Sequence, residues 1–401
     1  MRRILALGIT FVLFTSLAAQ AQYTVIATTS SQDGSLVRSE WAVQGGTDPL
    51  ATFRMIRLHR DAPPTRLRAA ILFLPSLGSP FALYEQRNTS GARGTSIAEF
   101  FALRGYDVYG YTPRYQNLPS GVCEAGILNC SGMADWDLQS MVEDLTFIRS
   151  RIEELRPGTP VVAGGTSLGG MLAFALADAH PEDYAGIFPW EGMLESPDPV
   201  VQALNQGYCA AVEAQLAAGI TFDAVGGSVL RRVVEHSATS PHGLNTIPFF
   251  PPFLTRHQAM VAAVSQEAPG PVSMPVPGYI AMAGDLAQDR LSFADERRLY
   301  DNVRTFANYV PNAVVRDVSC SLAGIETRYT DGLGAFEGSV LAIGGGRGFG
   351  AYMQGQLDQL GSTDVTFLLE PEFGHIDHFM TPRHRRFVEL PILHWLQDLL
   401  P

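Results

Sequence analysis

The sequence predicts an α/β protein with a mostly parallel central sheet, helices on both of its faces and a mainly helical insertion. Continuous apolar runs of strand length are typical of strands that are covered on both faces. Helical segments alternate with those runs, and the alternation stops over one long stretch of the chain. The apolar runs are residues 69–74, 106–111, 160–163, 184–190, 340–343 and 365–369.

The elements follow a consistent order along the chain. Segments 35–43 and 51–59 alternate apolar and polar residues around a turn-rich connection, which predicts an antiparallel pair. Helices are predicted between and after the buried strands, at 96–104, 135–155, 169–179, 352–360 and 387–400. In such a parallel sheet the active site lies at the carboxyl ends of the strands.

The pattern changes between residues 192 and 337, where helical stretches mix with proline-rich apolar turns such as 248–254. The helical stretches include 200–218, 229–235 and 293–306. We therefore predict a core domain formed by 22–191 and 338–401 and a cap or lid insertion at 192–337. An apolar lining for a pocket and ordinary packing inside the insertion are both compatible with 248–254.

The N-terminus has the three parts of a secretory signal peptide. Arg2 and Arg3 precede an apolar stretch, and small residues end it at Ala21. We expect cleavage after Ala21 and export to the periplasm or the medium. The apolar stretch is shorter than the ~20 residues that span a bilayer, and no later stretch is long enough, so we expect no stable membrane insertion.

Charge and composition exclude several partners. All 28 basic residues are arginine, there are 40 acidic residues, and the net charge is −12. The arginines form no patch or stripe along the sequence, so we expect neither nucleic acid nor an anionic membrane surface as a partner. The sequence gives no indication of the oligomeric state.

Four cysteines fit a protein that meets an oxidising compartment. Cys123 and Cys130 enclose a six-residue loop and form the natural local pair, which leaves Cys209 with Cys320. Buried free thiols are the alternative. The spacing lacks the C-x-x-C and histidine companions of a metal site, so we predict no metal here.

One motif carries nucleophilic chemistry. Residues 161–176 read VVAGGTSLGGMLAFAL, so Ser167 has glycines two positions away on each side, at Gly165 and Gly169. This is the pattern of a nucleophile elbow, a strained strand-to-helix turn on which neighbouring backbones pass where a Cβ would clash. The motif is short, and its context therefore decides its meaning.

That context resembles the α/β-hydrolase family. The resemblance rests on LPSLG at 74–78, RGYDV at 104–108, the elbow and FGH at 373–375, and it covers 35–191 and 338–399. Many members of this family carry a cap where this chain has its insertion. The resemblance implies Ser167 as nucleophile and His375 as its general base, because serine is a weak nucleophile without a base.

The resemblance also implies two backbone N–H groups that stabilise the oxyanion, those of Leu77 and Leu168. Many family members have His-Gly at positions 75 and 76, where this chain has Pro-Ser. Gly78 or Ser76 could therefore share the role of Leu77.

The acid of the triad is the open question. The family commonly has an aspartate shortly after the strand at 340–343, but this chain reads GGGRG there. A known variation puts the acid after the strand that follows the nucleophile helix, where Glu191 lies, so we favour Glu191. Asp285 is second and Asp377 third, since a residue two positions beyond His375 is poorly placed to reach its ring. A solvated strand end is the competing interpretation of Glu191.

Two other motifs are weaker. Residues 346–351, GRGFGA, fit a dinucleotide fingerprint but start at position 346 of 401, too late for a full dinucleotide fold. We interpret them as a glycine-rich loop beside the serine site and predict no cofactor. The acidic and histidine residues at 372–378 lack the spacing of three metal ligands, so we predict no catalytic metal.

The favoured function is an exported serine hydrolase that cleaves small-molecule carboxylic esters, an apolar acyl group being one option. Two alternatives stay open. The same triad also serves amide or peptide bonds. A non-catalytic binding protein that retains the fold is the other alternative, because the usual acid position is empty of carboxylate.

Overall fold

The computed structural model describes residues 23–61, 68–87, 95–223, 226–248, 252, 254–265, 276, 278–283 and 290–400. The predicted signal peptide, Asp285 and most of 248–254 lie outside these residues. The described strands are β1 (Tyr23–Asp33), β2 (Leu36–Gly45), β3 (Thr52–Arg60), β4 (Ala70–Leu74), β5 (Asp107–Thr112), β6 (Val161–Thr166), β7 (Gly186–Trp190), β8 (Phe222–Asp223), β9 (Val310–Pro311), β10 (Ser339–Gly345) and β11 (Val365–Glu370).

The described helices are α1 (Ala82–Glu85), α2 (Ile97–Ala102), α3 (Leu138–Leu155), α4 (Leu168–Ala179), α5 (Pro199–Ala217), α6 (Gly226–Thr239), α7 (Arg256–Ser265), α8 (Glu296–Val303), α9 (Asn312–Leu322), α10 (Met353–Leu357), α11 (Asp377–Met380) and α12 (Leu390–Leu399). A five-residue π-helical turn, Arg385–Glu389, leads into α12. Short 3₁₀ turns lie at Arg114–Asn117, Cys130–Asp135, Leu333–Ala335 and Phe349–Ala351.

Nine strands form one sheet in the order β1-β2-β3-β5-β4-β6-β7-β10-β11. The pairs β1–β2, β2–β3 and β3–β5 are antiparallel, and the remaining five pairs are parallel. The predicted fold class, an α/β fold with a mostly parallel sheet, is confirmed. The antiparallel start predicted at 35–59 is β2 and β3.

The central strands are buried on both faces, as their continuous apolar sequences predict. Every residue of β4, β6, β7 and β10 is buried. The apolar run 365–369 is the exception: it forms the edge strand β11, which pairs with β10 alone and is largely exposed, so the prediction of cover on both faces is wrong there. Alternate side chains of β4 enter two different cores: Leu72 packs with residues of α3 and α4, and Phe73 packs with residues of α2 and α12. The two layers of helices therefore fix the sheet, and its carboxyl edge, from both sides.

The sequence did not reveal β1. Its eleven residues, YTVIATTSSQD, are almost all exposed, because β1 is an edge strand that pairs with β2 alone. An exposed edge strand needs no apolar alternation, so the pattern that predicts half-buried strands does not apply to it.

The chain leaves the sheet after β7 and returns to it at β10. The described residues between them form α5 to α9 and the small β8–β9 pair, in agreement with the helical character predicted for 192–337. The bounds of that insertion as a separate cap stay a prediction. Helices α7 and α9 were not predicted. No helix in the described part of the chain is both long and apolar enough to cross a membrane.

Two disulfides are present, and they join the predicted pairs. Cys123 and Cys130 are linked with their Cα atoms 5.6 Å apart. Cys209 and Cys320 are linked with their Cα atoms 4.9 Å apart, and this bond connects α5 to α9. The first disulfide closes a local loop, whereas the second holds together the two ends of the helical region.

Candidate active site

Ser167 lies alone between β6 and α4 and has φ 61° and ψ −121°. A residue other than glycine rarely takes a positive φ, and the cost is about 1–3 kcal/mol. The close packing predicted for the elbow is present, since a Cβ added to Gly165 or Gly169 would come within 2.3 Å or 2.5 Å of the Leu74 carbonyl oxygen. The turn therefore requires glycine at both positions.

Backbone bonds hold this turn on both sides. The Ser167 N–H donates to Trp190 O at the end of β7, at 2.9 Å. The Ser167 carbonyl in turn accepts from Gly170 and Met171, which starts α4. Ser167 is 9% exposed, so its hydroxyl lies at the carboxyl edge of the sheet in a largely enclosed position.

The N–H groups of Leu77 and Leu168 follow the ends of two neighbouring strands, β4 and β6. Leu168 is the first residue of α4, and Leu77 is in the turn after β4. Neither N–H has a hydrogen-bond acceptor among the described residues. Free N–H groups at a helix start carry the positive end of the helix dipole, so the Leu168 N–H favours negative charge.

His375 follows β11 and is fixed by ring packing. Its imidazole stacks on Tyr279 with ring centroids 5.3 Å apart, and it packs edge-to-face with the Phe349 ring with centroids 5.2 Å apart. The His375 N–H donates to Tyr279 O at 2.6 Å. Tyr279 belongs to the predicted insertion, so that region orients the histidine as well as the core does.

The His375 Nδ1 atom lies 3.0 Å from Glu191 Oε2. Glu191 is fully buried and is the residue directly after β7. A buried carboxylate with an imidazole at this distance fixes the ring orientation and the proton on Nδ1. The competing interpretation of Glu191, a solvated residue at a strand end, does not fit its fully buried side chain.

The loop after β10 holds the Glu191 carboxylate with backbone donors. Gly345 donates to Oε1, Phe349 donates to Oε2 at 3.0 Å, and Gly350 donates to Oε1 at 3.3 Å. Gly348 leaves room for the carboxylate, because a Cβ there would lie 2.0 Å from Oε2. The glycine-rich loop has no carboxylate of its own and surrounds the Glu191 carboxylate at the end of a neighbouring strand.

Glu191 also has a positive φ, 50°. Among the described residues other than glycine, Ser167 and Glu191 are the two with positive φ. Backbone strain concentrates where the surrounding structure imposes an unusual position on a side chain. Both strained residues lie at the carboxyl ends of adjacent strands, β6 and β7.

Asp377 makes different contacts. Its Oδ2 accepts from Gly374 N–H at 2.7 Å and from Met282 N–H at 3.0 Å. Burial raises the pKa of Asp377 to about 6, against the effect of those two donors. Asp377 thus links the loop of His375 to the predicted insertion, whereas Glu191 is the carboxylate that lies at His375 Nδ1.

The neighbouring His378 is also buried, and burial together with the charge of His375 lowers the pKa of His378 to about 3. His378 is therefore neutral at physiological pH.

Among the described residues, the cluster with a metal-like set of groups is Cys209, Glu213 and Cys320. The two sulfur atoms of that cluster are joined in a disulfide, so their lone pairs are poor ligands for a cation.

Sequence reasoning missed several members of this site. The Phe349 and Gly350 donors belong to the loop that the dinucleotide-like motif marks, and Gly345 directly precedes it; the glycine content of the loop was the available signal. Nothing in the sequence indicated that Tyr279 stacks on the histidine.

The fold of this chain is similar to that of solved lipases. A candidate lipase from Sulfolobus solfataricus is 14% identical and has a TM-score of 0.64, covering 93% of this chain and 99% of its own. A soluble variant of monoglyceride lipase from Saccharomyces cerevisiae, solved with a substrate analog, is 11% identical with a TM-score of 0.52, covering 96% of this chain and 99% of its own.

No protein-family model matches the sequence, and no curated protein matches it. At 11–14% identity the structural likeness establishes the fold alone. The chain has the α/β-hydrolase fold, as the resemblance of its motifs predicted.

Proposed function

We propose that this protein is a serine hydrolase that cleaves carboxylic esters through an acyl-enzyme on Ser167. One observation carries the proposal: the buried Glu191 carboxylate lies 3.0 Å from His375 Nδ1 and accepts three backbone N–H groups besides. A carboxylate held so firmly against an imidazole serves to orient a base. This arrangement also argues against a binding protein that has lost the chemistry.

In the proposed reaction, Ser167 Oγ attacks the ester carbonyl carbon and His375 Nε2 takes the hydroxyl proton. Glu191 keeps the proton on Nδ1 and stabilises the imidazolium that forms. The C–O bond of the ester breaks, and His375 gives its proton to the leaving alcohol. Water then attacks the acyl-enzyme with His375 again as base, which releases the carboxylic acid and restores Ser167.

The charge that develops on the carbonyl oxygen needs donors in fixed positions. We assign this role to the Leu77 and Leu168 N–H groups, which have no acceptor among the described residues. Loss of one such donor in a serine hydrolase costs about 10²–10³ in kcat. Gly78, with φ 74°, gives the first of these turns its shape.

The choice of ester over amide follows the solved structures of similar fold. The two described above are a candidate lipase and a monoglyceride lipase. Lipases cleave carboxylic esters, and the proposal extends that chemistry to this chain. Amide hydrolysis is the second candidate, and its one support is that the same three residues can cleave amide bonds as well as ester bonds.

A fluorophosphonate probe tests the proposal directly. The folded wild-type protein should label at Ser167, Ser167→Ala should not label, and the exposed control Ser150→Ala should label like wild type. Hydrolysis of p-nitrophenyl esters well above that of aminoacyl anilides should follow. Unlabelled wild-type protein would rule out the serine hydrolase, and anilides cleaved faster than esters would make it an amidase.

We also propose that the protein is exported with cleavage after Ala21. The two disulfides support this proposal, because they persist in oxidising compartments. Expression of the full chain in a bacterial host should give a secreted or periplasmic species with Gln22 at its N-terminus. A cytoplasmic species that retains Met1 in N-terminal sequencing would contradict it.

A further inference from the structure

The Tyr84 hydroxyl connects the two strands that lead to the assigned oxyanion donors. It donates to the Leu74 carbonyl at 2.7 Å and accepts from the Thr166 N–H at 3.0 Å. Leu74 is the last residue of β4, and Thr166 is the last residue of β6. The hydroxyl therefore links the two strand ends directly before they diverge.

The position of this link gives it a role. The paired register of β4 and β6 ends at Leu74↔Gly165. The residue that follows β4 is Pro75, which has no N–H and cannot extend the hydrogen-bond ladder. The Tyr84 hydroxyl is thus a link across the strands where the backbone ladder stops.

Each strand end continues into one proposed donor. The Leu77 N–H follows Leu74 by three residues, and the Leu168 N–H follows Thr166 by two. A relative shift of the two strand ends therefore changes the separation of the two donors. Misplacement by about 1 Å at a reacting centre can cost about 10² in rate.

Tyr84 is itself firmly held. It lies on α1, is 1% exposed, and its ring packs against Phe73 with centroids 4.7 Å apart. Burial raises the pKa of Tyr84 well above its usual value, so its hydroxyl stays protonated and donates to Leu74 at any working pH. A rigid ring and a permanent proton suit a fixed spacer.

We infer that Tyr84 is a positioning residue, which sets the separation of the Leu77 and Leu168 N–H groups through the Leu74 and Thr166 backbone. This inference rests on the proposed function, since it assigns a role within the same site. Tyr84 does not touch the substrate. Its effect reaches the reaction through the two strand ends.

Tyr84→Phe keeps the ring and removes the hydroxyl. We expect kcat for a p-nitrophenyl ester to fall about 10- to 100-fold, less than for outright loss of a donor, with KM within about twofold. The pH profile of kcat should not move, because His375 and Glu191 are untouched. The affinity for a trifluoromethyl ketone, whose adduct places an oxyanion between the donors, should fall in parallel with kcat/KM.

The matched control is Tyr109→Phe. Tyr109 is also fully buried, and its hydroxyl donates to Asp107 at 3.2 Å, at the start of β5 and therefore at the opposite edge of the sheet. It should lose stability but keep kcat. The concentration of active sites is measured by titration with an ester whose acyl-enzyme hydrolyses slowly. Rates are divided by that concentration, so that misfolded protein does not lower the apparent kcat. If too little Tyr84→Phe folds to be titrated, Tyr84→Met takes its place.

The outcomes separate this inference from the proposed function. A wild-type protein without esterase activity or fluorophosphonate labelling would overturn the proposed function. An active wild type with an unchanged kcat in Tyr84→Phe would overturn the positioning role alone. A shifted pH profile, or an equal loss of kcat in Tyr109→Phe, would also overturn it, because the effect would then pass through the base or through general stability.

Discussion

Replacement of Glu191 by glutamine tests the proposed triad most sharply, because the substitution keeps the volume and changes the hydrogen bonds. Oε1 accepts from Gly345 and Gly350, and Oε2 accepts from Phe349 and lies at His375 Nδ1. The amide nitrogen of glutamine must replace one of these two oxygens. Both positions face N–H donors, so neither accepts the amide nitrogen without loss.

The cost differs between the two positions. At Oε1 the amide nitrogen leaves two buried N–H groups unpaired, at about 1–3 kcal/mol each. At Oε2 it leaves only the Phe349 N–H unpaired but turns the amide hydrogen toward His375 Nδ1. The second arrangement costs less, and it puts the imidazole proton on Nε2, where the proton of Ser167 has to go. We expect Glu191→Gln to lose about 1–3 kcal/mol of stability and about 10³–10⁴ in kcat.

The assay is hydrolysis of a p-nitrophenyl ester at saturation, with rates divided by the concentration of folded protein. Glu372→Gln is the control, since Glu372 lies in the same loop as His375 with its side chain 68% exposed, 3.7 Å from Arg347. It should keep its kcat. A folded Glu191→Gln variant with kcat within about threefold of wild type would refute the assignment of the acid, given the ~10⁴ effect of the wrong tautomer.

Three further variants test the contacts described. Gly348→Ala should lower kcat nearly as much as Glu191→Gln, because the new Cβ would lie 2.0 Å from the carboxylate; an active variant would show that the loop does not hold the acid. Asp377→Asn should keep kcat, since the amide oxygen can accept both N–H groups that now bond to Oδ2; a loss like that of Glu191→Gln would make Asp377 the acid. The folded pKa of Asp377, about 6, lies above its unfolded value, so ionisation destabilises the wild type as pH rises through that window. In urea unfolding, the free energy of unfolding of Asp377→Asn should therefore rise relative to that of the wild type by about 2–3 kcal/mol between pH 4 and pH 7. A difference between the two proteins that stays constant over this range would contradict the prediction. The double replacement of Cys209 and Cys320 by serine should cost about 5 kcal/mol, roughly twice the cost for the local disulfide, because the closed loop is far longer; similar losses in chemical denaturation would count against this.

The sequence could predict the parts of the fold that bury apolar surface. The strands β4, β5, β6, β7 and β10 have continuous apolar runs because helices cover both faces. By contrast, β1 is polar and exposed. Helix α9 was missed for a different reason: its buried residues include polar ones, among them Asn312, Asp317 and Ser319, whose burial an apolar pattern does not indicate.

The sequence likewise predicts some residues of the site and not others. A local pattern marks Ser167, since a strained elbow needs glycines at fixed spacing. The donors to the Glu191 carboxylate lie in a glycine-rich segment that the sequence marks, but no local pattern pairs that segment with Glu191, because Gly345 lies 154 residues away in sequence. The link made by Tyr84 joins residues of two strands through a four-residue helix, and no sequence period encodes such a contact.

The separation of Glu191 from the loop that binds it has a consequence for how this protein can vary. Glu191 directly follows β7, the strand after which the predicted insertion begins, and Gly345 ends β10, the strand to which the chain returns. The hydrogen bonds between them hold the two ends of the predicted insertion together. Extending a loop whose ends are fixed costs only about 0.6 kcal/mol for each doubling of length. The parts of the predicted insertion that do not contact His375 can therefore change in length at little cost, whereas the segment around Tyr279, which stacks on the imidazole, has to stay in place for the distance from the Glu191 carboxylate to the His375 imidazole to be kept.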